Sequence, residues 1–272
     1  MKASATTQEL RPWRPVFTTP RGLPAIICTI VALALWQASV ALFDVPAYVI
    51  PAPATVAARI YEDLVSGLIL PHFWITFVEV IVGFAMAVVL GMGLGVTIGL
   101  SPAIDRAIYP LLLAFQTIPK VAIAPLLIIW FGYGLHSKAV MAALIAFFPI
   151  LVNVIAGLRT TDQRRLLLMK SLRARPLQVF TKVRLPGMLP YLFAGLEVGI
   201  VFALIGAIVG EFVGSSVGLG SLIIQRQAVI DVAGVFSVLA YLSVMGLLLS
   251  LAVKLIASRT AFWERPPETT NR

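Results

Sequence analysis

Six apolar runs of membrane-spanning length follow one another along the chain, separated by short polar segments. The hydrocarbon core of a bilayer requires about 20 consecutive apolar residues in a helix. Only 12% of the residues are charged and 60% are hydrophobic, whereas soluble domains carry about 25% charged residues. The sequence therefore predicts an all-α, polytopic membrane protein. Its predicted spans are 23–43, 73–100, 108–132, 139–158, 191–214 and 235–256.

The longest polar run, residues 159–190, lies between the fourth and fifth predicted spans. It carries eight Lys and Arg residues against one acid, Asp162. Lys and Arg resist translocation, so a basic loop between two spans stays in the cytoplasm. With six spans, both termini are then cytoplasmic. The net charge of +9 is concentrated in this loop and at the two ends, which the positive-inside rule explains without nucleic-acid binding.

These features divide the chain into an N-terminal cytoplasmic tail (1–22), one transmembrane domain (23–258) and a C-terminal cytoplasmic tail (259–272). The first span ends near Ser39-Val40-Ala41, which resembles a weak signal-cleavage site. Its apolar run is too long for a signal core, which favours an uncleaved anchor. Residues 54–70, with mixed polarity, predict a short helix at the outer interface.

Prolines distinguish the third predicted span, which contains Pro119 and Pro125 with Gln116 and Lys120 beside the first of them. A proline inside a span frees backbone carbonyls, which only protein or water can satisfy. Two interpretations remain open. The span is broken and lines a path for a solute, or it is an ordinary proline-kinked helix buried in the bundle.

Glycines recur at multiples of four in two spans, at 83, 91, 95 and 99 and at 206, 210 and 214. This spacing places each set on one helical face and predicts close helix packing.

Ionisable and amide side chains within the spans are costly in lipid and usually face a path or a partner. Glu211 is predicted to have a structural hydrogen-bonding role. The candidates for a translocation path are Glu79, Gln116, Lys120, Asn153 and Glu197.

Several kinds of chemistry are missing from the sequence. It has no P-loop, no H-E-x-x-H and no G-x-S-x-G motif. Cys28, His72 and His136 are isolated, so we expect no metal site, no cofactor in this chain and no enzymatic activity. The function that these absences leave is that of a component of a transporter or channel. Two alternatives stay open beside an ATP-driven permease: a secondary transporter driven by an ion gradient, which would need paired broken helices, and a structural membrane protein with a lipid-binding loop.

The residues alone leave two roles open for the basic loop: insertion of a short helix into a groove on a partner, or contact with anionic lipid. The run KSLRARPLQVFTKVRLPGMLPYLFAGL (170–196) resembles the cytoplasmic EAA loop of ABC importer permeases. Two further stretches, TIPKVAIAPLLIIWFGYG (117–134) and GEFVGSSVGLGSLI (210–223), are similar to the nitrate/sulfonate/taurine branch of that family. The resemblance extends from about residue 73 to the last span.

This resemblance implies a type I importer permease in a bacterial inner membrane, in contact with lipid. It implies three partners: a separate ATP-binding subunit, a second permease copy in a homodimer, and a periplasmic or lipid-anchored solute-binding protein. Residues 170–180 would form the coupling helix that docks into the ATP-binding subunit. The implied coupling residues are Lys170, Ser171, Leu172, Arg173, Ala174, Arg175, Leu177, Phe180, Leu185 and Pro186.

The loop departs from the family pattern at Arg173, where the motif has glycine. We expect the helix to run straight through Arg173, with its guanidinium facing acids on the ATP-binding subunit. The branch implies a small anion or a pyrimidine-like heterocycle as solute. Because the path candidates include Glu79 and Glu197 as acids, the sequence favours a neutral heterocycle.

Overall fold

The computed structural model describes residues 23–260, all of whose regular elements are helical. The predicted tail 1–22 lies outside the described residues, as does 261–272 of the other predicted tail. The helices are α1 Leu23–Leu42, α2 Pro53–Val65, α3 Ile69–Leu100, α4 Pro102–Gln116, α5 Ala124–Phe131, α6 Leu135–Arg159, α7 Gln163–Ser171, α8 Pro176–Val179, α9 Leu185–Gly214, α10 Leu219–Ala228 and α11 Val232–Thr260. A 3₁₀ turn, Lys120–Ile123, precedes α5, and a π-helical segment, Phe180–Arg184, precedes α9.

Five helical segments of the described chain are long and apolar enough to cross a membrane: α1, α3, α6, the stretch Pro176–Gly214 and α11. There is a sixth candidate span if α4 and the segment Lys120–Phe131 together form one broken span. These two segments meet at an angle of 83°. The break lies where the prolines predicted it. Pro119 is extended, with a ψ of 99°, and Pro125 occupies the first turn of α5. A helix restarts readily at such a proline because the missing N–H needs no partner there.

The centre of the bundle is α6, which packs between α3 and α9. The glycines of α3 face it: a Cβ at Gly91 would lie 3.0 Å from Ile150, and one at Gly95 would lie 2.7 Å from Val154. On α9, Gly206 lies against the backbone of Ala142: a Cβ built on Gly206 would lie 2.6 Å from the Cα of Ala142. The predicted close packing of these glycines is confirmed. Without side chains at these positions, the backbones approach closely enough for dispersion contacts to accumulate.

An ionic cluster joins α2, α10 and α11 at the end of the bundle where α3 begins. The guanidinium of Arg226 donates to both carboxylate oxygens of Asp63, at 2.5 and 2.8 Å, and Ser237 donates to Asp63 at 2.6 Å. Burial alone would raise the pKa of the Asp63 carboxyl, but these hydrogen bonds outweigh it and the pKa lies below its ordinary value. The cluster therefore fixes the predicted interfacial helix, α2, to the last span.

Segment 215–234, between α9 and α11, contains α10. The opposite end of the bundle carries the basic segment between α6 and α9, together with Arg106 and Arg259. The two ends therefore differ in charge as the positive-inside rule requires.

Candidate coupling segment and solute path

The basic segment between α6 and α9 is not one continuous helix. The expectation that a helix runs straight through Arg173 is wrong: α7 ends at Ser171, Arg173 has a φ of +50°, and α8 starts at Pro176. Ala174 N–H donates to Met169 O and Arg173 N–H donates to Lys170 O, both at 3.0 Å. These two bonds are the Schellman arrangement, which places a left-handed residue just beyond the helix end.

Pro176 accounts for this turn. Pro176 excludes its predecessor from helical geometry, and Arg175 is extended with a ψ of 151°. The backbone therefore has to change direction just after α7, and one residue in the left-handed conformation is enough to end a helix. This is the position at which the resembled loop has glycine, the residue that adopts a positive φ without strain. Arg173 occupies the same conformation at a cost of about 1–2 kcal/mol.

Exposed leucines accompany the positive charges of this segment. Leu172 is 68% exposed and Leu177 is 71% exposed, although such side chains gain free energy when buried. Phe180 and Leu185 instead pack partly against the core of the bundle. The segment thus has an anchored side and a free side that combines apolar and cationic groups. The other predicted coupling residues lie in the same stretch: Lys170 and Ser171 end α7, Ala174 and Arg175 form the turn, and Pro186 lies in the first turn of α9.

Three of the five predicted path residues lie together. Gln116, Lys120 and Asn153 line one cavity of about 310 Å³, whose walls include Phe148 and Phe202. The Lys120 ammonium lies 4.8 Å from the centre of the Phe148 ring and 3.5 Å from Gln116 O. Its neighbours in this cavity are therefore an aromatic face and neutral amides.

Asn153 is held in place by its own helix, because its amide donates to Pro149 O at 2.8 Å. Since α4 and the 3₁₀ turn supply Gln116 and Lys120, the broken span forms one wall of the cavity. Helices α6 and α9 form the other wall.

The other two predicted path residues lie elsewhere. Glu79 is buried and pairs with Lys138 at 3.1 Å. Glu197 pairs with Lys254 at 2.8 Å and lines a separate cavity on the other side of Phe202. Neither carboxylate faces the cavity of Lys120.

Glu211 organises a polar cluster at the end of the bundle opposite the basic segment. One carboxylate oxygen accepts from Gly220 N–H at 2.5 Å and Ser221 N–H at 3.3 Å, which caps α10. The other accepts from Thr76 Oγ at 2.6 Å. Both oxygens of this buried carboxyl group have hydrogen-bond partners, as buried polar atoms require, so the predicted structural role of Glu211 is consistent with its contacts.

Sequence reasoning missed Thr76 and Lys138 as members of this cluster. Lys138 joins Glu79 to Ser215, whose hydroxyl lies 2.5 Å from its ammonium. The sequence carried a signal for Thr76 alone, because Thr76 and Glu79 lie one helical turn apart on one face of α3. The described residues contain no group of His, Cys, Asp and Glu that could hold a metal ion.

Comparison with known proteins decides the family. The model of the binding-protein-dependent transport system inner membrane component matches residues 87–262. The chain belongs to this family. The protein is thus a permease of a binding-protein-dependent ABC importer, and a separate component hydrolyses ATP. Its assembly implies an ATP-binding subunit and a binding protein as partners, and it is a multi-pass membrane protein.

This permease is similar over most of its length to several relatives. The formylaminopyrimidine transport permease protein ThiX of Halalkalibacterium halodurans is 34% identical, with 90% of this chain and 97% of the relative covered. The riboflavin transport system permease protein RibX of Chloroflexus aurantiacus is 38% identical, with 89% and 90% covered. The putative aliphatic sulfonates transport permease protein SsuC of Bacillus subtilis is 30% identical, with 98% and 96% covered.

The fold also has a solved counterpart. A chain of the MetNI methionine ABC transporter in an inward-facing conformation has a TM-score of 0.65 at 21% identity, covering 73% of this permease and 98% of that chain. At this identity the likeness concerns the fold alone.

Proposed function

We propose that this permease has six spans with both termini in the cytoplasm of a bacterial cell, and that segment 163–184 docks into the ATP-binding subunit. The observation that carries the proposal is the free side of this segment, where exposed leucines stand among positive charges at the basic end of the bundle. A membrane surface also binds segments that combine leucines with positive charges, so the family decides between the two partners: a separate component hydrolyses ATP and has to contact the permease. A groove on a protein partner accommodates both.

The proposed permease works as a homodimer in the inner membrane, and a periplasmic or lipid-anchored binding protein delivers the solute. ATP-driven closure of the ATP-binding subunits would move segment 163–184, and the two bundles would alternate between inward-open and outward-open states. The path runs past Gln116, Lys120 and Asn153. Relatives of this permease are named for formylaminopyrimidine, riboflavin and sulfonates, so the solute is a small molecule of one of these kinds.

Co-purification with the ATP-binding subunit tests the docking. Full-length permease is co-expressed with that subunit and isolated through a tag on the permease. The variant carries Leu172→Ser and Leu177→Ser together. Burial of a leucine contributes about 1.5–3 kcal/mol, so loss of both should weaken retention about 100-fold or more.

The matched control is Leu64→Ser, which removes a 52% exposed leucine of α2 at the other end of the bundle. Its retention of the ATP-binding subunit should equal that of the wild type. The proposal fails if the double variant is monodisperse on size exclusion and still retains the ATP-binding subunit at wild-type levels.

A further inference from the structure

We infer that the solute of this permease carries an anionic group and that Lys120 binds this group during passage. The inference rests on the proposed path and names the class of its solute: a small organic oxyanion with a flat or apolar body.

Lys120 is unlike the other lysines of the membrane-spanning region. Lys138 pairs with Glu79 at 3.1 Å, and Lys254 pairs with Glu197 at 2.8 Å. No carboxylate of residues 23–260 lies within ion-pair distance of the Lys120 ammonium. A cation within a span is costly unless it is paired or faces a path. Lys120 faces a cavity, so the missing counter-charge is one that a solute can supply.

The charge of the cavity follows from its lining. Lys120 is the one ionisable side chain among the described residues that line it. The sequence favoured a neutral solute because Glu79 and Glu197 counted as acids along the path. Each of them instead pairs with a lysine away from this cavity. The cavity therefore presents a net positive charge, which attracts anions and repels cations.

The remaining lining defines the body of the solute. The rings of Phe148 and Phe202 offer apolar walls, and the amides of Gln116 and Asn153 offer polar contacts beside the ammonium. One charged group, two amides and two aromatic faces suit a molecule with a single charged end. Before the solute arrives, the Phe148 ring stabilises the ammonium through a cation–π contact at 4.8 Å. Because this contact is weak, an oxyanion can replace it.

Binding measurements on the permease with its ATP-binding subunit in lipid nanodiscs test the inference. The probes are benzenesulfonate and its neutral analogue benzenesulfonamide, compared by saturation-transfer-difference NMR. We expect benzenesulfonate to bind the wild type at least about 10-fold more tightly. Lys120→Gln should weaken benzenesulfonate about 10- to 100-fold, as expected for loss of a charge-assisted hydrogen bond, and leave benzenesulfonamide unchanged. Lys120→Arg keeps the charge and should keep the preference.

The matched control is Lys254→Gln, which removes a lysine outside the cavity and should not alter either probe's affinity. The inference is overturned if Lys120→Gln binds benzenesulfonate as the wild type does. It is equally overturned if the wild type does not prefer the anion, or if neither probe binds. Retention of the ATP-binding subunit in the same preparations reports on docking alone. A failed anion preference with intact retention therefore counts against Lys120 and leaves the docking proposal standing.

Discussion

Replacement of Gly83 by alanine tests whether the close approach of α3 to α6 is required for stability. A Cβ at Gly83 would lie 2.5 Å from Ala142 Cβ and 2.6 Å from Ala139 O. The carbonyl belongs to the backbone of the central helix, so no rotamer change can relieve the clash. The two helices would have to separate, with loss of dispersion contacts along their interface.

Gly93 of the same helix is the matched control, because a Cβ there meets no atom within 4 Å. Glycine in a helix interior costs about 0.5–1 kcal/mol relative to alanine, so Gly93→Ala should stabilise the permease by that amount. At Gly83 the same gain is opposed by overpacking of about 1–3 kcal/mol. Contact with backbone favours the upper end, which leaves a net loss of about 2 kcal/mol. The difference in free energy of unfolding between Gly83→Ala and Gly93→Ala therefore measures the cost of overpacking at Gly83.

Equilibrium unfolding of the full-length permease by steric trapping in detergent micelles measures this difference. Gly91→Ala should fall between the two variants, because its Cβ would meet the Cγ2 of Ile150 at 3.0 Å and that side chain can shift. The expected order of stability is Gly93→Ala, wild type, Gly91→Ala and Gly83→Ala. Equal stability of Gly83→Ala and Gly93→Ala would refute the packing argument.

Three further predictions concern local features. Arg173→Gly should relieve about 1 kcal/mol of strain at the positive φ and so raise the free energy of unfolding. A lower free energy of unfolding would contradict the assigned turn. If this variant retains the ATP-binding subunit as the wild type does, the guanidinium has no specific role in docking. Asp63→Asn leaves Arg226 buried without its counter-charge and should cost about 3–5 kcal/mol at pH 7, measured by the same steric trapping. Because the pKa of Asp63 lies below its ordinary value, its contribution is complete above a pH of about 3.9 and is lost as the pH falls through the lowered folded-state pKa. The difference in free energy of unfolding between the wild type and Asp63→Asn should become smaller over that pH range. A difference that stays constant would contradict the pairing of Asp63 with Arg226. Glu211→Ala should accelerate hydrogen exchange of the Gly220 amide about 10-fold or more, whereas unchanged exchange would show that the carboxylate does not cap α10.

The sequence predicted five helices of spanning length and the glycine faces, and a broken third span was one of the two interpretations it left open. Hydropathy, proline chemistry and period-four spacing act locally, so the sequence contains these signals. It did not predict the turn at Arg173. Helix formers on both sides favoured continuity, and arginine is rarely the residue at a left-handed position. The extended geometry before Pro176 and the Schellman hydrogen bonds decided the conformation.

Pairing of charges across helices was also beyond sequence reasoning. Nothing local indicates that Glu79 on α3 meets Lys138 on α6, or that Glu197 on α9 meets Lys254 on α11. These partners are set by the packing of the whole bundle. The sequence analysis therefore counted two acids along the predicted path without the lysines that pair with them.

The attachment of segment 163–184 has a mechanical consequence. It joins the end of α6 to the start of α9, and these two helices are locked together, since Gly157 faces Met188 and Gly195 faces Asn153 across the contact. A force on the segment would therefore act on α6 and α9 together and would not separate them. Asn153 and Phe202 belong to these two helices, whereas Lys120 belongs to the broken span. Sliding of the pair past the broken span would alter the width of the opening between them.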